Sequence, residues 1–256
     1  MAVLFILWSG RVSATDDCRL TGPTETVAWD YLVDGDTLIL KDGRKVRFAS
    51  INTPETSHDN KPAEPYGEAA HRALKKMLRL QPQLYFQQPE RRFDHHGRNL
   101  GSFFLLDGRS VDALLLSRGL AYQLFSEQSD SYRSCLQNVE KSARQKQLGV
   151  WSAKTVRDIR SDRLQSGFQL VRGAVVSLSK PAKSDFAWLE MDGPVVIRIP
   201  KAGLDERWLK SLRGQTVELR GWLVDRRAKK NTGKKFKRWM MGIYHPDAVQ
   251  IFEKEH

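Results

Sequence analysis

Four short segments in the first half of the sequence carry side chains that could act together in chemistry. They are Asp34-Gly35-Asp36-Thr37, Arg47, Asn52-Thr53-Pro54-Glu55 and Asp94-His95-His96-Gly97-Arg98. Taken singly, each has an ordinary structural explanation: Asp-Gly and Gly-Arg pairs form turns, Pro starts helices, and an arginine in an apolar strand is usually at an edge or salt-bridged. Taken together, they offer oxygen ligands, a further carboxylate and two planar guanidinium groups.

This set of groups suits the hydrolysis of a phosphodiester bond. Asp36 and the side-chain oxygen of Asn52 are ligands of the kind that a hard cation prefers. Glu55 can accept a proton from an attacking water. Negative charge gathers on the oxygens around phosphorus during the reaction, and guanidinium groups such as Arg47 and Arg98 match that charge better than lysines do.

Short strands and three helices must position these residues. Strands are predicted between residues 26 and 52, where Asp-Gly turns separate apolar runs, and again at 84–88 and 100–106. Apolar residues at helical spacing predict helices over 67–80, 111–118 and 132–147. This order predicts an α+β, mainly β fold that is compatible with a small Greek-key barrel.

The charge of the chain is the most informative part of its composition. The 256 residues carry a formal net charge of +12, and 40% of them are hydrophobic. That hydrophobic fraction supports a packed core and excludes a wholly disordered chain. No apolar run reaches the roughly 20 residues needed to span a bilayer. The excess of basic residues predicts a polyanionic partner, with nucleic acid as the first candidate and an anionic membrane surface as the second.

The basic residues are concentrated in the second half. Residues 1–164 have 24 Lys and Arg against 20 Asp and Glu, whereas residues 165–256 have 18 against 10. Strands are predicted there at 168–178, 186–191, 195–199, 216–224 and 239–244, with a short helix at 204–212. This pattern predicts a second, OB-like β-barrel.

Eight of the basic residues fall in one stretch, residues 226–238, which we call the basic segment. They are Arg226, Arg227, Lys229, Lys230, Lys234, Lys235, Lys237 and Arg238. The segment is predicted to bind nucleic acid, with Phe236 and Trp239 stacking on bases. The alternative is a solvated basic loop with Trp239 in the core.

The order and spacing of several motifs resemble the thermonuclease (staphylococcal nuclease-like) family over about residues 26–152. They are Val33-Asp34-Gly35-Asp36-Thr37, 47–55, Tyr66-Gly67, Gly97-Arg98, Gly119-Leu120-Ala121 and 148–152. The resemblance implies a five-stranded OB-fold barrel with three helices, and a Ca²⁺-dependent nuclease acting on DNA and RNA. The second half looks like an accessory OB-type domain found in some bacterial relatives.

The same resemblance assigns roles to individual residues. Asp36 would be the carboxylate ligand of Ca²⁺, Thr53 would offer its main-chain carbonyl, and Asp34 would orient a calcium-bound water. Arg47 and Arg98 would bind the scissile phosphate, and Glu55 would be the general base. The implied catalytic residues are therefore Arg47, Glu55 and Arg98, and the implied metal ligands are Asp36, Asn52 and Thr53.

Asn52 departs from the family pattern, since the staphylococcal member has an aspartate at this position. Asn can still coordinate through its oxygen, but the site has one negative charge fewer. We therefore expect weaker Ca²⁺ binding.

The predicted organisation runs from an export signal to two domains. Residues 1–14 are predicted to be a signal peptide. The basic residues that usually begin such a peptide are missing, so the predicted peptide is truncated if they lie upstream of residue 1. The alternative is a buried N-terminal strand. A nuclease domain over 20–153, a linker over 154–166 and an OB-like domain over 167–253 follow. Two cysteines suit one disulfide of an exported protein, Cys18–Cys135, or else two unpaired buried thiols.

The leading hypothesis is thus a secreted or periplasmic, Ca²⁺-dependent, sugar-nonspecific nuclease. Its partners would be DNA and RNA, as single strands or loosened duplexes, and a monomer is favoured. The rival hypothesis is a nucleic-acid-binding protein that keeps the barrel with little or no catalysis. The presence of Asp36, Arg47, Glu55 and Arg98 favours the enzyme, and Asn52 mildly favours the rival.

Overall fold

The protein is described by a computed structural model and folds into two compact units. The described residues are 18–57, 61–125, 133–152, 154–160, 164–202, 205–228 and 236–252. Of these, the first unit contains 18–123 and 133–152, and the second contains Leu124, Phe125 and the residues from 154 onwards. The predicted signal peptide, 1–14, lies outside the described residues.

Five strands close a barrel in the first unit. The strands of this unit are β1 Glu25–Leu32, β2 Thr37–Leu40, β3 Lys45–Phe48, β4 Ile51–Asn52, β5 Gln83–Gln87, β6 Asn99–Phe104 and β7 Tyr122–Gln123. The ring order is β1-β2-β3-β6-β5, with β5 returning to β1. The β3–β6 pair is parallel and the other ring pairs are antiparallel. Strands β4 and β7 form a separate two-stranded sheet.

Three helices pack on this barrel, as predicted. They are α1 Gly67–Leu78, α2 Val111–Leu116 and α3 Arg133–Gln145. Helix α1 is amphipathic and buries Ala70, Leu74 and Leu78. Helix α2 is buried at every position and begins at Ser110, whose hydroxyl accepts the Ala113 N–H at 3.1 Å. The five-stranded barrel with three helices confirms the predicted fold class.

Strand alternation places Arg47 on the outside of the barrel. Val46 and Phe48 are fully buried in the core of the first unit, where Phe48 packs 5.1 Å from Phe103 between ring centroids. Side chains alternate along a strand, so Arg47 between them points to the opposite face. Its register partners are Thr37 on β2 and Leu100 on β6.

The second unit contains another five-stranded barrel of the same order. Its strands are β8 Val156–Asp158, β9 Gly167–Ser179, β10 Phe186–Met191, β11 Val195–Pro200, β12 Thr216–Asp225, β13 Trp239–Gly242 and β14 Val249–Phe252, with helix α4 Glu206–Ser211. The ring order is β9-β10-β11-β13-β12, and β12 pairs with β9 to close it. As in the first unit, the third and fourth strands of the ring, here β11 and β13, are parallel.

The segment predicted as a linker, 154–166, contains part of the second unit. Strand β8 pairs in parallel with β9, and Ile159 after it is fully buried. Three paired residues are too few to show a strand period in a polar sequence, so the sequence pattern could not reveal β8. Strand β14, which pairs with β12, escaped prediction in the same way. No described helix is long and apolar enough to span a membrane.

The structure contains the predicted disulfide between Cys18 and Cys135, with their Cα atoms 5.6 Å apart. Cys135 lies on α3, so the bond ties the start of the described chain to that helix. The two cysteines are 117 residues apart in sequence. Closing so long a loop reduces the conformational freedom of the unfolded chain.

We predict that the double variant Cys18→Ser/Cys135→Ser loses about 2–5 kcal/mol of unfolding free energy. Urea unfolding of both proteins, with and without reductant, measures this. Reductant should shift the wild-type midpoint to lower urea and leave the variant unchanged. Equal midpoints for the oxidised wild type and the variant would contradict a stabilising role.

Candidate functional site

Asp36 lies at the centre of a buried polar network at the start of β2. Its side chain is 5% exposed. One carboxylate oxygen accepts from the Arg47 guanidinium and, at 3.3 Å, from the Thr37 hydroxyl. The other accepts the Thr53 backbone N–H at 2.7 Å. A carboxylate has about four lone-pair sites, so these three donors leave about one for a further partner.

Arg47 joins Asp36 to the other side of the site. Its Nη1 donates to Asp36, and its Nη2 donates to Asn52 Oδ1 at 2.7 Å. Burial alone lowers the pKa of the Arg47 guanidinium, but the charge and hydrogen bond of Asp36 outweigh burial and raise that pKa above its ordinary value. Arg47 is therefore held as a buried cation by two oxygen acceptors.

Asn52 and Thr53 reach this network from β4. Asn52 Nδ2 donates to the Thr53 carbonyl oxygen at 3.3 Å, while the Asn52 side-chain oxygen accepts from Arg47. Both residues are buried. The side-chain oxygens of Asp36 and Asn52 and the carbonyl of Thr53 are thus linked through one guanidinium and one amide. These are the three residues that the sequence predicted as metal ligands.

Gly35 allows the Asp34–Asp36 turn to pack against Thr53 and α1. A Cβ at Gly35 would lie 2.6 Å from the Thr53 hydroxyl oxygen and 2.9 Å from the Ala70 methyl group. Any larger residue would therefore push the turn away from β4. The glycine fixes the approach of Asp36 to the Thr53 N–H.

Asp34 accepts the Asp36 backbone N–H at 2.9 Å within this turn. Burial, followed by the negative charge of Asp36, raises the pKa of Asp34 to about 6. The Asp36 N–H and Arg47 oppose this shift. Two acidic side chains therefore share one poorly solvated location, and the negative charge there exceeds what Arg47 neutralises.

Glu55 is exposed and lies next to this network. Its charge contributes to the raised pKa values of both Arg47 and Asp34. Its backbone N–H donates to the Glu64 carboxylate at 3.1 Å, and the Glu64 N–H donates back to the Glu55 carbonyl at 2.9 Å. A Cβ at Gly67 would lie 2.1 Å from that same carbonyl. Gly67, the first residue of α1, thus packs closely against the Glu55 carbonyl and helps to fix the backbone of Glu55.

Arg98 lies just before β6, and Asp94 holds it in place. The Asp94 carboxylate accepts the Arg98 backbone N–H at 2.9 Å and its Nε at 2.7 Å. These bonds outweigh partial burial and lower the pKa of Asp94. Leu100 faces Arg47 across the parallel pair, and Arg98 precedes Leu100 by two residues. Arg98 is therefore placed on the side of the sheet that carries Arg47.

The oxygen donors of this site fit a hard cation such as Ca²⁺. Carboxylate, amide and main-chain oxygens are the ligands that this class of ion takes. Burial, and after it the charge of Asp36, raises the pKa of Asp34, and a cation bound beside these carboxylates would favour their ionised forms. No cluster of three or more His, Cys, Asp or Glu side chains suited to a metal exists among the described residues, so the fit depends on Asn52 and the Thr53 carbonyl.

The described part of the basic segment is packed against the second barrel. Lys237 Nζ donates to the carbonyls of Met191 and Gly193, and Arg238 forms an ion pair with Asp225 at 2.8 Å. The Arg226 guanidinium lies 4.7 Å from the centre of the Phe236 ring, which is 59% exposed. Lys229, Lys230, Lys234 and Lys235 lie outside the described residues, and Arg227 is exposed.

The stacking role predicted for Trp239 is wrong. Trp239 is 5% exposed and belongs to the core of the second unit. It is the first residue of β13 and its position in the strand turns it inwards, so it is unavailable to a base. The alternative given by the sequence, a core tryptophan, describes it correctly.

The sequence prediction gave no role to two residues that support the site, although both lie in the segments that it singled out. Thr37 is fully buried and bonds Asp36, and Asp94 positions Arg98. The Asp-x-x-Gly-Arg spacing of 94–98 is a local signal that could have revealed Asp94, because Asp often bonds backbone N–H groups across a turn.

Comparison with known proteins agrees with the predicted family. The family model described as "Staphylococcal nuclease homologue" matches residues 45–153. The thermonuclease of Staphylococcus intermedius is 38% identical over 128 residues, which are 47% of this chain and 72% of that protein. Endonuclease YncB of Bacillus subtilis is 35% identical over 131 residues, which are 49% of this chain and 61% of that protein.

An uncharacterised endonuclease of Escherichia coli O157:H7 is 30% identical over 126 residues and matches over 73% of its length. The chain therefore belongs to the staphylococcal nuclease homologue family, which confirms the predicted family. The matched region includes Arg47, Asn52, Glu55 and Arg98 and ends before the second barrel.

The raised pKa of Asp34 predicts a pH-dependent cost to stability. Because the pKa of Asp34 in the folded protein is about 6, ionised Asp34 lowers the free energy of unfolding. This loss of stability is absent below about pH 4 and complete above about pH 6. In EDTA, Asp34→Asn should raise the unfolding free energy by about 1–2 kcal/mol at pH 8, with a gain that vanishes at pH 4.

Urea unfolding at both pH values measures this effect, and Asp42→Asn is its control. Arg44 lowers the pKa of Asp42, so ionised Asp42 stabilises the fold, and its variant should lose stability at pH 8. A gain for Asp34→Asn that is the same at pH 4 and pH 8 would refute the assigned cause.

Proposed function

We propose that the protein is an exported, Ca²⁺-dependent, sugar-nonspecific nuclease that hydrolyses DNA and RNA. Family membership and the thermonuclease and endonuclease relatives make it a nuclease, that is, a hydrolase of phosphodiester bonds. The observation that carries the finer proposal is the Arg47 guanidinium, buried between Asp36 and Asn52 and next to an exposed Glu55.

In this proposal, Arg47 and Arg98 hold the phosphate. Both are guanidinium groups on one side of the β3–β6 pair, and each is hydrogen-bonded to an aspartate. Guanidinium groups donate two parallel hydrogen bonds to phosphate oxygens and stabilise the charge that develops there. Arg47 would exchange Asp36 for phosphate, which frees a carboxylate oxygen.

Glu55 would take the proton of the attacking water. It is the exposed carboxylate of the site, whereas Asp36 is already bonded to three donors. An exposed carboxylate with a rigid backbone can reach water and return its proton to solvent. Asp36, Asn52 and the Thr53 carbonyl would hold Ca²⁺, with Asp34 orienting its water. Bound Ca²⁺ would polarise the phosphate as a Lewis acid.

The remaining proposals concern location and the second unit. A disulfide fits an oxidising compartment, so we propose a secreted or periplasmic protein. The basic segment would supply sequence-independent attraction to single strands or loosened duplexes. A monomer would suffice, because all the residues proposed for catalysis belong to one unit.

The rival proposal is a nucleic-acid-binding protein without efficient catalysis, and Asn52 is the residue that favours it. Digestion of plasmid DNA and of RNA, with Ca²⁺ or with EGTA, decides between the two. We expect cleavage of both substrates with Ca²⁺ and none with EGTA. Absence of Ca²⁺-dependent cleavage by the wild type would support the rival.

Glu55→Gln should lower the Ca²⁺-dependent rate by about 100- to 10,000-fold, the range for loss of a general base. Glu90→Gln removes an exposed carboxylate elsewhere in the first unit and is the matched control. Its rate should equal the wild-type rate. Similar rates for Glu55→Gln and wild type would exclude Glu55 as the base.

Asn52→Asp restores a carboxylate to the proposed metal site. We expect it to lower the Ca²⁺ concentration at half-maximal activity by about tenfold, because affinity in oxygen-ligand sites follows ligand charge. Arg47 keeps an oxygen acceptor in this variant. A calcium titration of cleavage rate measures the change, and an unchanged or higher half-maximal concentration would show that residue 52 is not a ligand.

A further inference from the structure

A cluster of aromatic rings around one arginine lies on the second barrel, and we call it the Arg198 platform. It consists of Phe186 and Trp188 on β10, Arg198 on β11 and Tyr244 just after β13. The Arg198 guanidinium lies 4.5 Å from the centre of the Phe186 ring, and its Nη2 donates to the Tyr244 hydroxyl at 3.0 Å. The Phe186 and Trp188 rings meet edge to face at 6.4 Å.

Strand alternation places the platform on the outside of the barrel. Ala187 and Leu189 on β10, and Ile197 and Ile199 on β11, lie in the core. The residues between them therefore face outwards. Trp188 and Arg198 are register partners across β10 and β11. Phe186, Trp188 and Arg198 are half-buried and Tyr244 is exposed, so the cluster is partly open to solvent and lies outside the core.

Tyr244 packs closely against Gly242. A Cβ at Gly242 would lie 3.0 Å from Cε2 and from the hydroxyl oxygen of Tyr244, a closer approach than side chains normally tolerate. The glycine thus leaves space for the tyrosine ring beside Arg198. Tyr244 is 46% exposed, so about half of the residue remains open to solvent.

Arg198 occupies the position in its barrel that Arg47 occupies in the first. Both lie on the third strand of the ring and face outwards, and both are paired to the second strand and to the fourth. In each barrel the second and third strands form a hairpin, and register partners lie equally far in sequence from its midpoint. The pair Thr37–Arg47 puts the midpoint of the first hairpin at Asp42, and the pair Trp188–Arg198 puts that of the second at Gly193. Each arginine therefore lies five residues after the midpoint of its hairpin. Arg47 has oxygen acceptors around it, and Arg198 has aromatic rings.

We propose that the Arg198 platform binds the unpaired bases of single-stranded nucleic acid by stacking. Aromatic rings and a guanidinium plane are the groups on which bases stack without sequence preference. Arg198 Nε is buried and has no hydrogen-bond partner among the described residues, so a donor remains for an acceptor that arrives with the ligand. The inference deepens the nucleic-acid binding of the proposed function and rests on it.

The charge of the surroundings favours nucleic acid over a protein partner. Lys237 of the basic segment donates to the carbonyl of Met191, the last residue of β10, and lies 3.7 Å from Glu190 on the outer face. The C-terminal end of the basic segment therefore lies beside the end of β10. Residues 165–256 carry 18 Lys and Arg against 10 Asp and Glu. A strand of phosphates would contact the segment while its bases stack on the platform.

The test is binding of the full chain in EDTA to three fluorescently labelled ligands, followed by anisotropy. The ligands are a 20-nucleotide oligothymidylate, an abasic strand of the same length and charge, and a 20-base-pair duplex. We expect the wild type to bind oligothymidylate more tightly than either of the other two. Equal affinity for oligothymidylate and the abasic strand would refute base stacking.

Tyr244→Ala and Trp188→Ala should each weaken oligothymidylate binding by about 5- to 100-fold, the range for loss of one stacked base. Tyr244→Phe keeps the ring and should bind like the wild type. Tyr31→Ala removes a tyrosine that is 54% exposed in the first unit and is the matched control. Binding of the abasic strand should be unchanged in all four variants, which also shows that they are folded.

The salt dependence of binding distinguishes the contribution of the platform from that of the basic segment. The ratio of the Tyr244→Ala and wild-type Kd values should be the same at 50 and 300 mM NaCl, because stacking releases no counterions. A ratio that falls towards one at high salt would assign the loss to charge and overturn the proposal. Ca²⁺-dependent cleavage of the duplex tests the catalytic proposal independently, since it depends on the first unit.

Discussion

A buried guanidinium must be neutralised by fixed acceptors, and this requirement organises the first barrel. The Arg47 side chain is 10% exposed and lies between Asp36 and Asn52. Removing one partner of such a buried pair leaves an uncompensated charge, which typically costs about 3–5 kcal/mol. The Gly35 turn brings Asp36 to β4, and β4 brings Asn52 to Arg47. The fold and the proposed chemistry therefore depend on one set of contacts.

The same network explains why the site can change its partners. Asp36 is bonded to three donors, and Asp34 beside it has a raised pKa. The buried network thus has one guanidinium, Arg47, beside the carboxylates of Asp34 and Asp36. A bound cation and a phosphate would complement each other there, because the cation would neutralise the carboxylates while the phosphate would take Arg47.

The two barrels carry different chemistry at one position of a shared scaffold. Arg47 and Arg198 share a place in the ring order and register, yet their neighbours differ in chemistry. Oxygen atoms surround the first arginine, and the rings of Phe186 and Tyr244 lie next to the second. Function resides in the side chains placed on the fold rather than in the fold itself.

Much of this could be predicted from the sequence, because strong local signals mark it. The Asp-Gly turns gave the β2–β3 hairpin, and strand β10 was predicted with the bounds 186–191 that the structure has. Motifs in order gave the family and the residues of the Asp36 network. Local signals were too weak for β8 and β14, which are short edge strands defined by their partners.

Other features depend on packing that no local pattern reports. The close approaches at Gly35 and Gly67 arise between segments far apart in the chain. The burial of Trp239 follows from the closure of the second barrel. Arg47 and Arg198 correspond in strand register, and sequence identity between the two barrels does not reveal this correspondence. Each of these features required the three-dimensional arrangement.

A crystal structure of the full chain with Ca²⁺ and a phosphorothioate dinucleotide tests the central claim most directly. The account predicts Ca²⁺ at about 2.3–2.6 Å from oxygens of Asp36, Asn52 and Thr53, with Arg47 moved from Asp36 to the phosphate. A phosphate that contacts neither Arg47 nor Arg98, or an Arg47 that stays on Asp36 while Ca²⁺ binds elsewhere, would contradict it.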